Sequence, residues 1–458
     1  MASIHTTRRS FLGGSAILAG AALAACGNQG AETEQAATTE AETTDATTSE
    51  ASSANAISGT YSIHVQGYDW GCSVDKATVT LDQALDTISV DDLVVTETKQ
   101  VTDWTDTENY PVIEDTFDRE VTAATLGDDG KTIELEFYCS PDQGSPLLYT
   151  MSTGYNTWSE PYYLTIKASD IAAFALNIDT AYTEKTTSAD AWTVDSFDAT
   201  DGTSYKYASW DPAEESKTLV VWLHGAGEGG TEGTDPYVTI LANKVVALSE
   251  DAFQEVVGGA HVVAPQSPTM WMDQGPDADG KPTYISEDAK EITSIYTDSL
   301  EEFIDSYADK VGAEKIVLAG CSNGGFMTLW MGIDRPDKYA AIVPICEAIP
   351  DGAISDEQIE GVKDLPMYFV WSEDDTTVVP DTHEIPTTKR LQDAGAANLH
   401  ISTTEHVVDT SGEYKDPDDE SKPYEYNGHW SWIYFDNNEC ACNEDGMKAW
   451  DFIAEAVK

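Results

Sequence analysis

Basic residues are scarce in this chain: Lys and Arg number 24 against 82 Asp and Glu, a formal net charge of −58 over 458 residues. A surface so acidic repels phosphate backbones and anionic lipid headgroups, which excludes nucleic-acid binding and adhesion to membranes through basic patches. Long apolar runs are also missing. The one apolar stretch near the start, Phe11 to Ala25, is too short and too rich in Gly and Ala for a lasting membrane span. No Lys-Ser/Thr follows the Gly-rich loop His224–Gly230, so a phosphate-binding loop is excluded. Cys440-x-Cys442 is too small a set for a zinc site, and the acidic loop Asp416–Glu420 lacks the ligand spacing of an EF-hand. These acidic runs read as a solvated exterior.

The chain divides by composition. Residues 1–26 carry Thr7-Arg8-Arg9-Ser10-Phe11-Leu12 and then Leu23-Ala24-Ala25-Cys26-Gly27. The first resembles a twin-arginine export signal and the second the bacterial lipoprotein box, which implies lipidation of Cys26 and anchoring at the outer face of the cytoplasmic membrane. Residues 27–57 are Glu, Ala, Thr, Ser and Gln with almost no large apolar side chains, the composition of a disordered tether. Residues 58–187 hold short runs alternating apolar with polar, such as Thr60–Val65, Ala77–Leu81, Leu93–Val95, Thr132–Phe137 and Tyr162–Ile166, with a hairpin signal at Asp128-Asp129-Gly130-Lys131. That pattern predicts a sandwich of roughly seven strands, immunoglobulin-like in class.

Residues 188–458 alternate strand with helix. Apolar runs at Thr218–Leu223, His261–Ala264, Lys315–Ala319, Ala341–Ile345 and Met367–Trp371, with Leu399–Ser402, read as strands of a mostly parallel, doubly wound sheet. A 3.6-residue apolar period over Asp288–Lys310 predicts one helix, and Gly446–Lys458 predicts another. Function is expected at the carboxyl ends of the strands.

There stands Gly320-Cys321-Ser322-Asn323-Gly324-Gly325, between an apolar strand and a helix that stops before Pro336. The G-x-S-x-G pattern alone is a weak signal; the flanking strand and helix make it the nucleophile elbow of an α/β-hydrolase. A serine hydroxyl needs a base, and the base needs an acid, in the chain order Ser, Asp or Glu, His. After Met367–Trp371 come Glu373, Asp374 and Asp375; Asp375 is preferred because it stands three residues before Val378, with Asp374 the alternative. His429 in Gly428-His429-Trp430 is the expected base; His406 is the alternative, His400 lies inside a strand and His383 comes too early. The oxyanion needs two backbone N–H groups: Asn323 after the serine, and Ala226 or Gly227 from the Gly-rich loop. His224 is read as orienting that loop. Trp271 and Trp430 are the candidate substrate-binding aromatics. Cys321 occupies the x of the motif and is not a nucleophile.

These residues resemble a known group, the bacterial two-domain esterases with an immunoglobulin-like domain ahead of an α/β-hydrolase. The resemblance rests on Leu223–Gly230, Ala264–Pro268, Gly320–Met327 and Gly428–Trp432, and covers roughly residues 60–458. The catalytic half is similar also to prolyl-oligopeptidase-like domains. The resemblance implies hydrolysis of short-acyl esters through an acyl-enzyme, with a small-molecule ester as partner and no metal or cofactor. A peptidase of short peptides and a non-catalytic surface lipoprotein are the rival readings. One departure is the extra residue in Val378-Val379-Pro380 relative to the common D-x-x-V-P, which bears on Asp374 against Asp375. No oligomeric state is written in the sequence.

Overall fold

The computed structural model describes residues 56–230 and 235–458. Cys26, the export motif and nearly all of the 27–57 segment lie outside the described residues.

The N-terminal strands are β1 (Gly59–Tyr68), β2 (Gly71–Leu81), β3 (Leu93–Thr102), β4 (Val112–Arg119), β5 (Val121–Leu126), β6 (Thr132–Phe137), β7 (Leu147–Thr150), β8 (Tyr155–Trp158), β9 (Tyr162–Ala168), β10 (Asn177–Asp179) and β11 (Lys185–Thr187). They form one sheet in the order β11-β1-β2-β6-β5 and a second in the order β10-β9-β3-β4, with β7 and β8 as a separate two-stranded ribbon. The sequence expectation of roughly seven strands is exceeded because edge strands such as β4 are almost wholly exposed and carry no apolar alternation. Period-2 alternation marks the central strands: β1 buries Tyr61, Ile63 and Val65 and β2 buries Val74, Ala77 and Val79 against the other sheet. Between the sheets Glu97 of β3 takes Arg119 Nη1 and Lys99 Nζ, each at 2.8 Å, and Tyr162 Oη at 3.0 Å. Arg119 Nη2 reaches the Val74 carbonyl of the opposite sheet at 2.8 Å, so both ends of the guanidinium fork are engaged.

The C-terminal strands are β12 (Thr193–Asp198), β13 (Ser204–Trp210), β14 (Thr218–Leu223), β15 (His261–Gln266), the small hairpin β16 (Asp273–Pro276) and β17 (Pro282–Tyr284), then β18 (Lys315–Cys321), β19 (Ala341–Ile345), β20 (Met367–Ser372) and β21 (Leu399–Thr404). The main sheet has eight strands in the order β12-β13-β15-β14-β18-β19-β20-β21. From β15 to β21 the pairing is parallel; β12 and β13 add an antiparallel edge. Parallel strands must be covered on both faces, which is why Thr218–Leu223 and Met367–Ser372 are buried at every position. Val220, Trp222, Val317 and Ala319 point to one face, and Leu219, Val221, Ile316 and Leu318 to the other. The first face shares one continuous apolar core with the N-terminal sheets.

The helices are α1 (Val238–Leu241), α2 (Asp251–Val257), α3 (Thr297–Val311), α4 (Asn323–Asp334), α5 (Asp356–Val362), α6 (Glu384–Asp393), α7 (Trp432–Asp436) and α8 (Ala449–Ala456). The expected helix from Asp288 forms only from Thr297. Ser294 bonds to the Trp271 carbonyl through its hydroxyl at 2.6 Å and takes the Tyr296 N–H at 3.1 Å, so its side chain competes with the helical ladder there.

Candidate active site

Ser322 follows β18 and opens α4 with φ 57° and ψ −119°, a strained backbone for a side chain. Its neighbours cannot carry a Cβ: at Gly320 one would come within 2.5 Å of the Leu223 carbonyl oxygen, and at Gly324 within 1.8 Å. The glycines thus serve close approach of β14 to the turn, and Ser322 N donates to Ile345 O at 2.9 Å to hold it. Cys321 is buried, accepts from Asn243 Nδ2 at 3.2 Å, and burial pushes its thiol well above the usual range, so it stays a neutral thiol. All six cysteines among the described residues are unpaired.

Ser322 Oγ lies 2.9 Å from His429 Nε2, and His429 Nδ1 lies 2.7 Å from Asp375 Oδ2. With Nδ1–H donating to the carboxylate, Nε2 is left to accept from the serine hydroxyl. The Asp375 side chain is wholly buried, and its Oδ1 accepts from the N–H groups of Thr377 and Val378 at 2.7 and 3.0 Å. That turn explains why the acid stands three residues before Val378. Asp374 goes elsewhere: it takes the Ser372 hydroxyl and pairs with His406 Nδ1 at 2.8 Å on the exposed side. Gly428 brings the loop down onto this aspartate, since a Cβ would come 2.2 Å from Asp374 Oδ1. His400 stacks on Tyr368, in its strand.

The loop after β14 makes a single 3-10 turn at Ala226–Glu228. No described residue accepts from the N–H of Ala226, Gly227 or Asn323, the donors named for an oxyanion. Helix starts leave such groups free. His224 is buried, and burial lowers its pKa to about 4, so the ring is neutral. Nδ1–H then donates to Gly225 O at 2.6 Å, and Nε2 accepts from Ser267 N at 3.0 Å. His224 therefore ties the loop after β14 to the loop after β15. Gly230 N to Ser267 O and Gln266 Nε2 to Glu228 O, at 3.0 and 2.8 Å, add to that tie. The Asn323 side chain does likewise, its Oδ1 accepting from Met272 N at 3.1 Å.

Trp271 is a correction. It is fully buried and packs against Tyr205, His224 and Tyr296, so its ring supports the site from within the core and offers no surface to a substrate. Its loop does overhang the site, but the chain turns the indole inward because the aromatic bed of β13 and Tyr296 lies there. Trp430 is half-buried in a row of rings with Tyr426 and Trp432, and Trp432 sets its edge on the His429 ring at 5.9 Å.

Two acids near the site carry no sequence signal. Glu347 and Glu384 are fully buried; Glu347 Oε1 and both Glu384 carboxylate oxygens have no partner among the described residues. Burial first, and then the charge of Asp351 at Glu347 and of Glu347 at Glu384, pushes both carboxyls up, Glu347 to about 8. A third is Glu228 in the loop after β14, raised by burial to about 7.

A family model described as phospholipase/carboxylesterase matches residues 209–411, a stretch that holds Ser322 and Asp375 and ends before His429. No curated protein matches the chain. Among solved structures, a thermostable esterase aligns with TM-score 0.61 at 19% identity, over 83% of this chain and 96% of its own. The S-formylglutathione hydrolase of Agrobacterium tumefaciens aligns with TM-score 0.38 at 12% identity, over 58% of this chain and 95% of its own. Together with the family match, the sheet and its elbow identify the chain as a serine hydrolase of carboxylesterase type on an α/β-hydrolase fold.

Proposed function

We propose that the chain is an exported, lipid-anchored carboxylesterase that cleaves short-acyl or aromatic esters through an acyl-enzyme. What supports the chemistry is the hydrogen-bonded row Ser322–His429–Asp375 at 2.9 and 2.7 Å, placed at the strand ends beside three backbone N–H groups that find no acceptor among the described residues. Ser322 Oγ attacks the ester carbonyl while His429 Nε2 takes its proton. Asp375 holds the ring and stabilises the imidazolium. The carbonyl oxygen, now negative, is received by the N–H groups of Asn323 and Ala226, with Gly227 as the further donor. His429 returns the proton to the departing alkoxide. Water, deprotonated by His429, then attacks the acyl-serine and releases the acid and the free enzyme. Trp430, half-buried and next to His429 in the chain, supports the aromatic part of the reading. Anchoring at Cys26, the 27–57 tether and an immunoglobulin-like class for the 58–187 sandwich ahead of the 188–458 catalytic domain rest on the sequence motifs. No described helix is long and apolar enough to cross a membrane.

The test is a panel of p-nitrophenyl esters of rising chain length, feruloyl esters and proline-containing peptides. Turnover of short or aromatic esters is expected, and Ser322→Ala lowers kcat by on the order of 10⁴-fold or more. Asp375→Asn falls by a comparable factor, while Asp374→Asn stays within about threefold of wild type. Cleavage of the peptides alone, or full turnover in Ser322→Ala, overturns the reading.

A further inference from the structure

The β7–β8 ribbon lies in the N-terminal half, yet it packs on both loops that border the site. Trp158 Nε1 donates to Asp235 Oδ2 at 2.8 Å, and β8 lies against the 3-10 turn at Ala226–Glu228. The turn of the ribbon rests on Met270, whose Cε would be 3.2 Å from a Cβ at Gly154. Asn156 stands directly over the oxyanion loop: a Cβ at Gly227 would come 2.7 Å from its Nδ2. That same Nδ2 donates to Glu228 Oε1 at 3.4 Å. The Glu228 carboxyl is buried, and its other oxygen, Oε2, lies 3.0 Å from where a Gly225 Cβ would be.

The turn that carries Ala226 and Gly227 has three residues and is set among Gly225, Gly227, Gly229 and Gly230. A single 3-10 turn among glycines has little stiffness of its own. Its N–H groups nonetheless act only if they meet an oxyanion at about 2.7–3.1 Å. Something outside the turn must hold its direction. Gln266 grips the Glu228 carbonyl at the far end, and Asn156 is the side-chain donor to the Glu228 carboxyl.

We propose that Asn156 is a positioning residue of the oxyanion loop, supplied by the N-terminal half, which acts through Glu228 to aim the Ala226 and Gly227 N–H groups. The catalytic unit then spans both halves of the chain. This rests on the reading of Ala226 and Gly227 as oxyanion donors.

The experiment is a double-mutant cycle on the full chain with a short p-nitrophenyl ester. It uses Asn156→Ala, Glu228→Ala and the pair, with melting temperature and the rate of fluorophosphonate labelling of Ser322 measured alongside. Asn156→Ala is expected to lower kcat about tenfold, because a misaimed donor costs part of the hundredfold or more of a deleted one. KM is expected to stay within about threefold, since substrate binding does not use the oxyanion geometry. The labelling rate falls with kcat, because the phosphonyl oxygen uses the same hole. The pair is expected to be no slower than Glu228→Ala alone, since the two residues act as one unit. The inference is overturned if Asn156→Ala keeps kcat within twofold of wild type, or if the two losses multiply. Asn156 is only half-buried, so its variant decides the matter even where Glu228→Ala does not fold. If Ser322→Ala keeps turnover, the functional reading falls and this inference with it. If Ser322→Ala is inactive and Asn156→Ala is unaffected, only this inference falls.

Discussion

Burial decides what each titratable side chain near the site can do. Asp375 is buried but takes two N–H donors and an imidazole. Glu347 and Glu384 are equally buried, yet among the described residues only Ile349 N–H bonds to Glu347 within hydrogen-bond distance and Glu384 has no such close donor, so burial raises both carboxyls well above their ordinary value. Raised carboxyls bind protons in the folded chain that the unfolded chain has released, so stability falls as pH rises between the ordinary value, 4.5, and about 8. Glu347→Gln removes the Glu347 part of this cost. It is expected to raise the melting temperature by about 3 °C at pH 8 and by nothing at pH 4.5. Scanning calorimetry at the two pH values checks this; an equal gain at both refutes the assignment.

At the scale of elements, the elbow depends on how close β14, β18 and the start of α4 come. Gly324→Ala drives a Cβ into the Leu223 carbonyl, a contact of 1.8 Å with backbone that cannot swing away. It is expected to lower kcat/KM by about a thousandfold, the scale of a lost oxyanion donor, because the Asn323 N–H moves with the turn. Gly361→Ala in α5, where a Cβ meets nothing within 4 Å, is the control and keeps full activity. The elbow, the acid turn and the Gly-rich loop were legible as local strings because each obeys a local rule: small residues at a close approach, an aspartate capping its own turn, glycines where N–H groups point inward. Trp271 was misread for the complementary reason. Its loop position is local, but the direction of its ring is set by Tyr205 and Tyr296, remote in sequence.

For the whole molecule the dominant fact is the excess of 82 acidic over 24 basic side chains. Mutual repulsion on that surface opposes the compact state, and added salt screens it. Raising NaCl from 0.05 to 1 M is therefore expected to raise the melting temperature by about 5 °C, with KCl equivalent. A fall with salt would mean that ion pairs such as Glu97–Arg119 outweigh the repulsion. The two halves also melt as one on this account, because the sandwich and one face of the catalytic sheet share a continuous core. Bonds from Trp432 Nε1 and Asn437 Nδ2 to Asp69 tie them further, at 3.1 and 2.6 Å.

The sequence by itself pointed to the parallel strands of the catalytic half, to the serine and the glycines around it, and to His429 ahead of His406 as the base. Periodicity and turn chemistry act between neighbours a few residues apart, and a sequence displays such neighbours directly. Only the tertiary structure decided that Asp375 and not Asp374 meets His429, since adjacent carboxylates have the same composition and differ in which side of one turn they face. It alone decided that Glu347 and Glu384 are buried, and that Asn156, 72 residues before Glu228, stands over the loop after β14. Burial and long-range approach come from how sheets and loops stack, and no window of the chain contains both partners.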